Sequence, residues 1–324
     1  MDLHTTYMGL ELQSPVLLAA CPISDDVGMV SRCVDAGAGA VVMRSLFEEQ
    51  IDNELRPHAN AHNPEDPHDL QFSSTVNRYL EQVSRLKDAL DVPVIGSING
   101  TTLGGWVRFA EMIQRAGADA LELNVYYLAT DPDEDPRAVE QRYLDLLSAM
   151  RIRVTIPLSI KLSPFFSAPV YMAKRLVSAG ADSLVLFNRF YQPDIDLGRQ
   201  RVSSLIQLST SSSLNLRLRW LAAIFGKTKA DLACTGGVHT GIDALKAISA
   251  GASVVQMASA VLQRGSEAIV DVTDGMRTWM REHDLDNLDE FRGSMSITRC
   301  KDPAGLYRAN YLRALHDWQA IDPL

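Results

Sequence analysis

The sequence predicts one α/β domain, a TIM-type (β/α)8 barrel with a C-terminal helical tail. A short tag recurs four times, as Ala36-Gly37-Ala38, Ala116-Gly117-Ala118, Ala179-Gly180-Ala181 and Ala250-Gly251-Ala252. Each closes a helical pattern and opens an apolar run, as expected when Gly caps a helix and a buried strand follows. Between the tags there is room for one more strand and helix each time, so the strands alternate with helices as in a closed parallel barrel. A doubly wound open sheet is the alternative, weakened because no Gly-x-Gly-x-x-Gly follows the first strand.

In chain order, Pro15-Val16-Leu17-Leu18-Ala19 is the first strand and Val41-Val42-Met43 the second. A long connection from about 46 to 75 follows, rich in Pro, His, Asn and Asp, and it is the candidate for a lid. Pro93 to Ile98 is the third strand, Leu121-Glu122-Leu123 the fourth, and residues 126 to 136 a second long connection. Pro157 to Leu162 and Leu184-Val185-Leu186 are the fifth and sixth, before a third long connection from 188 to 214. Asp231 to Thr235 and Val254-Val255-Gln256 complete the eight. Glu267 to His283 is the closing helix. Residues 1–298 are then the barrel and 299–324 an appended tail packed on it, with a helical stretch at Leu306 to Trp318.

A net charge of −9 argues against a broad nucleic-acid or anionic-membrane footprint, while a local basic pocket stays open. No signal-peptide pattern or bilayer-length apolar run occurs, and the reading is a cytoplasmic protein. Cys21, Cys33, Cys234 and Cys300 contain no C-x-x-C pair and read as buried free thiols. The seven histidines have no metal-ligand spacing, so no metal site is expected.

Side chains two apart on a strand face the same way. In the fifth strand Leu158, Ile160 and Leu162 must meet the helices, which turns Ser159 and Lys161 into the barrel. Glu122 and Asn124, Ser97 and Asn99, Thr235, and Gln256 point inward by the same rule; on the second strand either Arg44 or Met43 with Ser45 does so. Lys161 can pair with Glu122 as scaffold, or stabilise negative charge on a planar cofactor, and the two roles are compatible. Thr235-Gly236-Gly237-Val238 and Ala258-Ser259-Ala260 follow the last two strands, where many barrels hold a phosphate. Ser209-Thr210-Ser211-Ser212-Ser213 reads better as a solvated loop than as a phosphate ligand.

Glu122-Leu123-Asn124, Pro157 to Leu162, and Thr235-Gly236-Gly237-Val238 with Gln256-Met257, in this order, make the chain resemble the class 1 dihydroorotate dehydrogenases from Thr6 to about Ser296. The resemblance implies FMN at the top of the barrel. It implies that Lys161, Asn124 and Ser45 contact the flavin, that Gly236, Gly237, Ala258 and Ser259 bind its phosphate, and that Asn188 faces the substrate; inward-pointing Asn99 is then a further cofactor-binding candidate and Arg44 a substrate-side one. It departs at three places. Tyr127 stands where the family has a Cys or Ser base, which makes Tyr127 the candidate base; Arg44 replaces a common Lys; and the loop after the second strand lacks the Asn-x-Met-Gly-x-x-Asn segment. The implied activity is oxidation of dihydroorotate to orotate in pyrimidine biosynthesis. The alternatives are an FMN paralogue with another small substrate and a non-catalytic flavin-binding partner protein. The electron acceptor is not specified, and a homodimer is left open.

Overall fold

The computed structural model describes residues 1–50, 67–102, 106–189, 193–203, 206–307 and 309–317. An antiparallel hairpin, β1 (Thr5–Tyr7) and β2 (Leu10–Leu12), precedes the barrel. The chain then alternates β3 (Val16–Leu18), α1 (Val27–Asp35), β4 (Ala40–Val42), a two-residue β5 (Leu46–Phe47), α2 (Pro67–Ala89), β6 (Val94–Asn99), α3 (Trp106–Arg115) and β7 (Ala120–Asn124). It continues through α4 (Pro136–Arg153), β8 (Leu158–Leu162), α5 (Pro169–Ser178), β9 (Ser183–Leu186), a hairpin of β10 (Asp194–Asp196) and β11 (Arg201–Ser203), and α6 (Leu214–Ile224). Then come β12 (Asp231–Thr235), α7 (Gly241–Ala250), β13 (Val254–Met257), α8 (Ser259–Arg264), α9 (Glu267–Glu282) and α10 (Ala309–Asp317).

Eight of these strands form the ring, paired in parallel in the order β4-β3-β13-β12-β9-β8-β7-β6 and closed by the β4–β6 pairing, and the two-residue β5 adds parallel to the end of β6. The fold is a TIM (β/α)8 barrel. All four tag glycines, Gly37, Gly117, Gly180 and Gly251, have positive φ, the conformation in which a β-carbon is penalised. This turns each helix abruptly into the next strand.

Strand parity divides the packing. Val16, Leu18, Val41, Leu121, Ile160, Leu184 and Val255 belong to the outer core against the helices. Leu17, Val42, Ile95, Ala120, Val185, Ala233 and Val254 fill the lower interior, where Tyr7 and Leu12 of the hairpin join them. The barrel bottom is therefore sealed mainly by apolar contact, with a buried hydrogen bond from Ser183 Oγ to Tyr7 OH at 2.9 Å, and the charged and amide interior residues Lys161, Glu122 and Gln256 lie toward the other end.

Several expectations change. The connection after the second strand does not run to residue 75: α2 already starts at Pro67, a residue whose fixed φ and missing N–H suit the first turn of a helix. The proposed lid falls largely on residues 51–66, outside the described residues. The 188–214 connection contains the hairpin β10–β11, paired by register Ile195↔Val202, which periodicity over such short strands did not signal. The β1–β2 hairpin was likewise not foreseen. Cys21, Cys33 and Cys234 are buried free thiols as read, while Cys300 is half-buried. In the tail, Leu306 packs against the core, whereas Tyr311, Leu312 and Leu315 of α10 are exposed.

Candidate active site at the strand ends

The C-terminal ends of the strands surround a cavity of about 930 Å³. Its floor is the polar upper half of the barrel interior. Lys161 on β8 reaches across to β7, where its Nζ donates to Glu122 Oε1 at 3.1 Å. Gln256 on β13 donates from Nε2 to the other carboxylate oxygen, Oε2, at 2.7 Å. Both oxygens of this carboxylate are thus engaged by neighbours that the parity rule also turned inward, Lys161 supplying the countercharge and Gln256 a neutral donor. Glu122 is 1% exposed and Lys161 7%, so the charges could not be held there unpaired.

Above this layer Asn188, just after β9, donates from Nδ2 to Asn124 Oδ1 at 2.6 Å, fixing two amides side by side at the mouth. Asn99 lines the same cavity from β6. The two alternatives for the second strand are both partly met. Met43 turns outward into the helix-facing core, while the chain leaves regular strand after Val42 and brings both Arg44 and Ser45 to the cavity. Ser45 Oγ lies 2.8 Å from Ser97 Oγ, and Arg44 Nε donates to Asp25 at 2.6 Å.

The far wall is the candidate phosphate cradle. Gly236 and Gly237 follow β12 with φ of +85° and +88°. A β-carbon on Gly237 would lie 2.5 Å from the backbone nitrogen of Leu214, so α6 starts directly against this turn and excludes any side chain. Ala258 and Ser259 line the cavity beside it. The serine stretch is not a solvated loop at its first residue: Ser209 is 3% exposed, its N–H donates to Ser259 Oγ at 3.0 Å, and its Oγ accepts from the Gly237 N–H at 3.3 Å. His239 Nε2 stands 3.3 Å from the same hydroxyl. Composition alone could not show this, because the contacts join segments far apart in sequence.

Tyr127 is placed differently from the other candidates. Its hydroxyl donates to Glu134 Oε2 at 2.6 Å, and the Arg142 guanidinium sits 4.2 Å from its ring centre. The hydrogen bond to Glu134 raises its pKa above the ordinary tyrosine value, the wrong direction for a base near neutrality. Tyr126 lines the cavity and Tyr127 does not. Cys21, also at the cavity wall, is no substitute nucleophile, because burial pushes its thiol up to about 11.

The family model for dihydroorotate dehydrogenase matches residues 2–280. The chain belongs to the dihydroorotate dehydrogenase family. It is an oxidoreductase acting on CH–CH groups. Curated relatives include the catalytic subunit of dihydroorotate dehydrogenase B (NAD(+)) from Thermoplasma acidophilum, 26% identical over 90% of this chain and 98% of that protein. The corresponding subunit from Methanocaldococcus jannaschii is 27% identical over 90% of this chain and 97% of that protein. The NAD-dependent dihydropyrimidine dehydrogenase subunit PreA of Escherichia coli K12 is 25% identical over 90% of this chain and 76% of that protein. No helix among the described residues is long and apolar enough to cross a membrane.

The residues present fit FMN. Gln256 Oε1 is buried without a hydrogen-bond partner among the described residues, and a planar ligand bearing an N–H group would satisfy it. Three cations, Arg44, Lys161 and Arg189, line the cavity with Asp194; Lys161 is paired with Glu122 and Arg44 with Asp25.

Proposed function

We propose that the chain binds FMN in this cavity and oxidises the CH–CH bond of a small cyclic substrate, with dihydroorotate as the first candidate. The observation that carries the reading is the joining of Lys161, Glu122 and Gln256 into one buried network beneath a cavity whose opposite wall is a two-glycine turn. FMN, when bound, supplies a two-electron acceptor for hydride. Lys161 holds a fixed positive charge where negative charge would accumulate on reduction, and its ion pair with Glu122 fixes the position of that charge. Asn124 and Asn188, locked to each other, orient substrate at the mouth. Ser45 and Asn99 are contacts for the ring, and Gly236, Gly237, Ala258 and Ser259 for the phosphate. Arg44 faces substrate from the second strand. Tyr126 lines the cavity beside Asn124.

A second reading, an uncharged dihydropyrimidine as substrate, is favoured by one observation. Arg44, the cation of the substrate side, is already bound by Asp25, so a substrate carboxylate would have to compete for it. In either case electrons leave to a diffusible acceptor or a partner protein in the cytoplasm, the barrel spans 1–298, and the 299–324 tail is its appendage. The test is anaerobic reduction of the purified protein by dihydroorotate and by a dihydropyrimidine in parallel. Bleaching of flavin absorbance by dihydroorotate, with turnover on the order of 1–10³ s⁻¹, supports the first reading. Bleaching by the dihydropyrimidine alone supports the second, and a protein that refuses FMN sinks both.

A further inference from the structure

Arg217, in the first turn of α6, is buried, and no carboxylate lies within ion-pair distance of it among the described residues. Its guanidinium is held by backbone carbonyls instead. Nε donates to Thr235 O at 2.6 Å, Nη1 to Ser213 O at 2.6 Å and Nη2 to Phe187 O at 3.4 Å. The nearby buried acid, Asp243, is committed elsewhere: it accepts from Ser211 Oγ and from the N–H groups of His239 and Thr240. The guanidinium also packs against Gly236, where an added β-carbon would sit 3.0 Å from Nη2. A buried cation with only carbonyl partners is costly, and an anion on the opposite side of the glycine turn would offset that cost.

We propose that Arg217 is a positioning residue for a phosphate group at the Gly236–Gly237 turn. It ties the ends of β9 and β12 and the start of α6 into one rigid wall, and it supplies from behind that wall a positive charge to which the anion responds. The assignment of this phosphate to FMN rests on the flavin reading above. The charge is genuinely part of the site only if its removal is felt by the phosphate and not by the rest of the ligand, and this separates it from a purely structural clamp.

The test compares the wild type with Arg217→Gln, which keeps an amide donor for one carbonyl, and Arg217→Lys, which keeps the charge and loses the fork. Apoprotein is titrated with FMN and with riboflavin, and inorganic phosphate is assayed separately by the rise it causes in Tm. For Arg217→Gln the expected result is an FMN affinity lower by about tenfold with riboflavin affinity within about twofold, roughly the 1.4 kcal/mol that tenfold represents. Arg217→Lys should retain most of the preference for FMN over riboflavin even if its Tm falls. The phosphate-induced rise in Tm should shrink in Arg217→Gln. Equal losses of FMN and riboflavin, or an unchanged ratio, overturn the proposal while leaving the flavin reading intact. A wild type that binds neither flavin but shows an Arg217-dependent phosphate effect overturns the flavin reading and keeps this one; a wild type with neither a phosphate effect nor a preference for FMN overturns this one.

Discussion

The lower and upper halves of the barrel interior are built by the same strands with the same inward parity, yet their chemistry is opposite. On β7, Ala120 belongs to the apolar plug while Glu122, two residues on, is a buried carboxylate; on β13, Val254 and Gln256 divide in the same way. The lower layer seals against the β1–β2 hairpin by packing and by hydrogen bonds made within the chain, Ser183 Oγ to Tyr7 OH and Met8 N–H to Asp231. The upper layer holds an ion pair, a locked amide pair and an unsatisfied carbonyl oxygen, all facing a cavity. Polar groups cluster where a ligand can complete them, and apolar groups close the end where none enters.

Exchanging Lys161 for Ala should have the largest effect, because it acts on both stability and function. The buried Glu122 loses its cation, at a cost of about 3–5 kcal/mol in denaturant unfolding. FMN affinity and flavin reduction potential should fall together in the same variant; an unstable protein with normal flavin behaviour would make Lys161 a scaffold residue alone. In the lower layer Leu17→Ala should cost about 2–5 kcal/mol by leaving a cavity, with FMN affinity unchanged when measured below the transition. A change in flavin binding in that variant would erase the distinction between the two halves.

Gly237→Ala comes next. It combines a φ of +88° with a β-carbon 2.5 Å from the Leu214 nitrogen, so about 1–3 kcal/mol of strain is expected along with weaker FMN retention. Thermal melting with and without FMN separates the two effects. Tyr127→Phe should have the smallest effect on catalysis, well under the roughly 10²-fold of a lost general base, because its hydroxyl is engaged by Glu134. Its pKa is raised in the fold, so the hydrogen bond's contribution to stability is full at neutral pH and is lost only as pH rises past the tyrosine range, above about pH 10. The stability difference between wild type and variant should therefore be flat across about pH 6 to 9.

The strand count and the inward set could be read directly from the chain, because tags such as Ala179-Gly180-Ala181 and alternation such as Ser159-Ile160-Lys161 are local and periodic. Short irregular pieces could not. β10 and β11 have three residues each, too few for a period to register, and Pro67 in a stretch rich in Pro, His and Asp conceals the start of α2. Within the site, composition places Ser209 in a solvated run, and position in the loop singles out Tyr127, whereas in the fold Ser209 is buried and Tyr126 is the tyrosine that lines the cavity.

By itself the sequence determined the (β/α)8 topology, the polar upper layer with Lys161 and Glu122, and the two-glycine turn after β12, since each follows from spacing along one strand or one loop. The tertiary structure decided that Ser209 closes against Gly237 and Ser259, that Arg217 lies behind Gly236 without a carboxylate, and that Glu134 engages the Tyr127 hydroxyl instead of leaving it to the cavity. The first two join residues that no local period connects. The third turns on which of two adjacent tyrosines faces the cavity, and once β7 has ended at Asn124 the chain no longer obeys the alternation that would have predicted it.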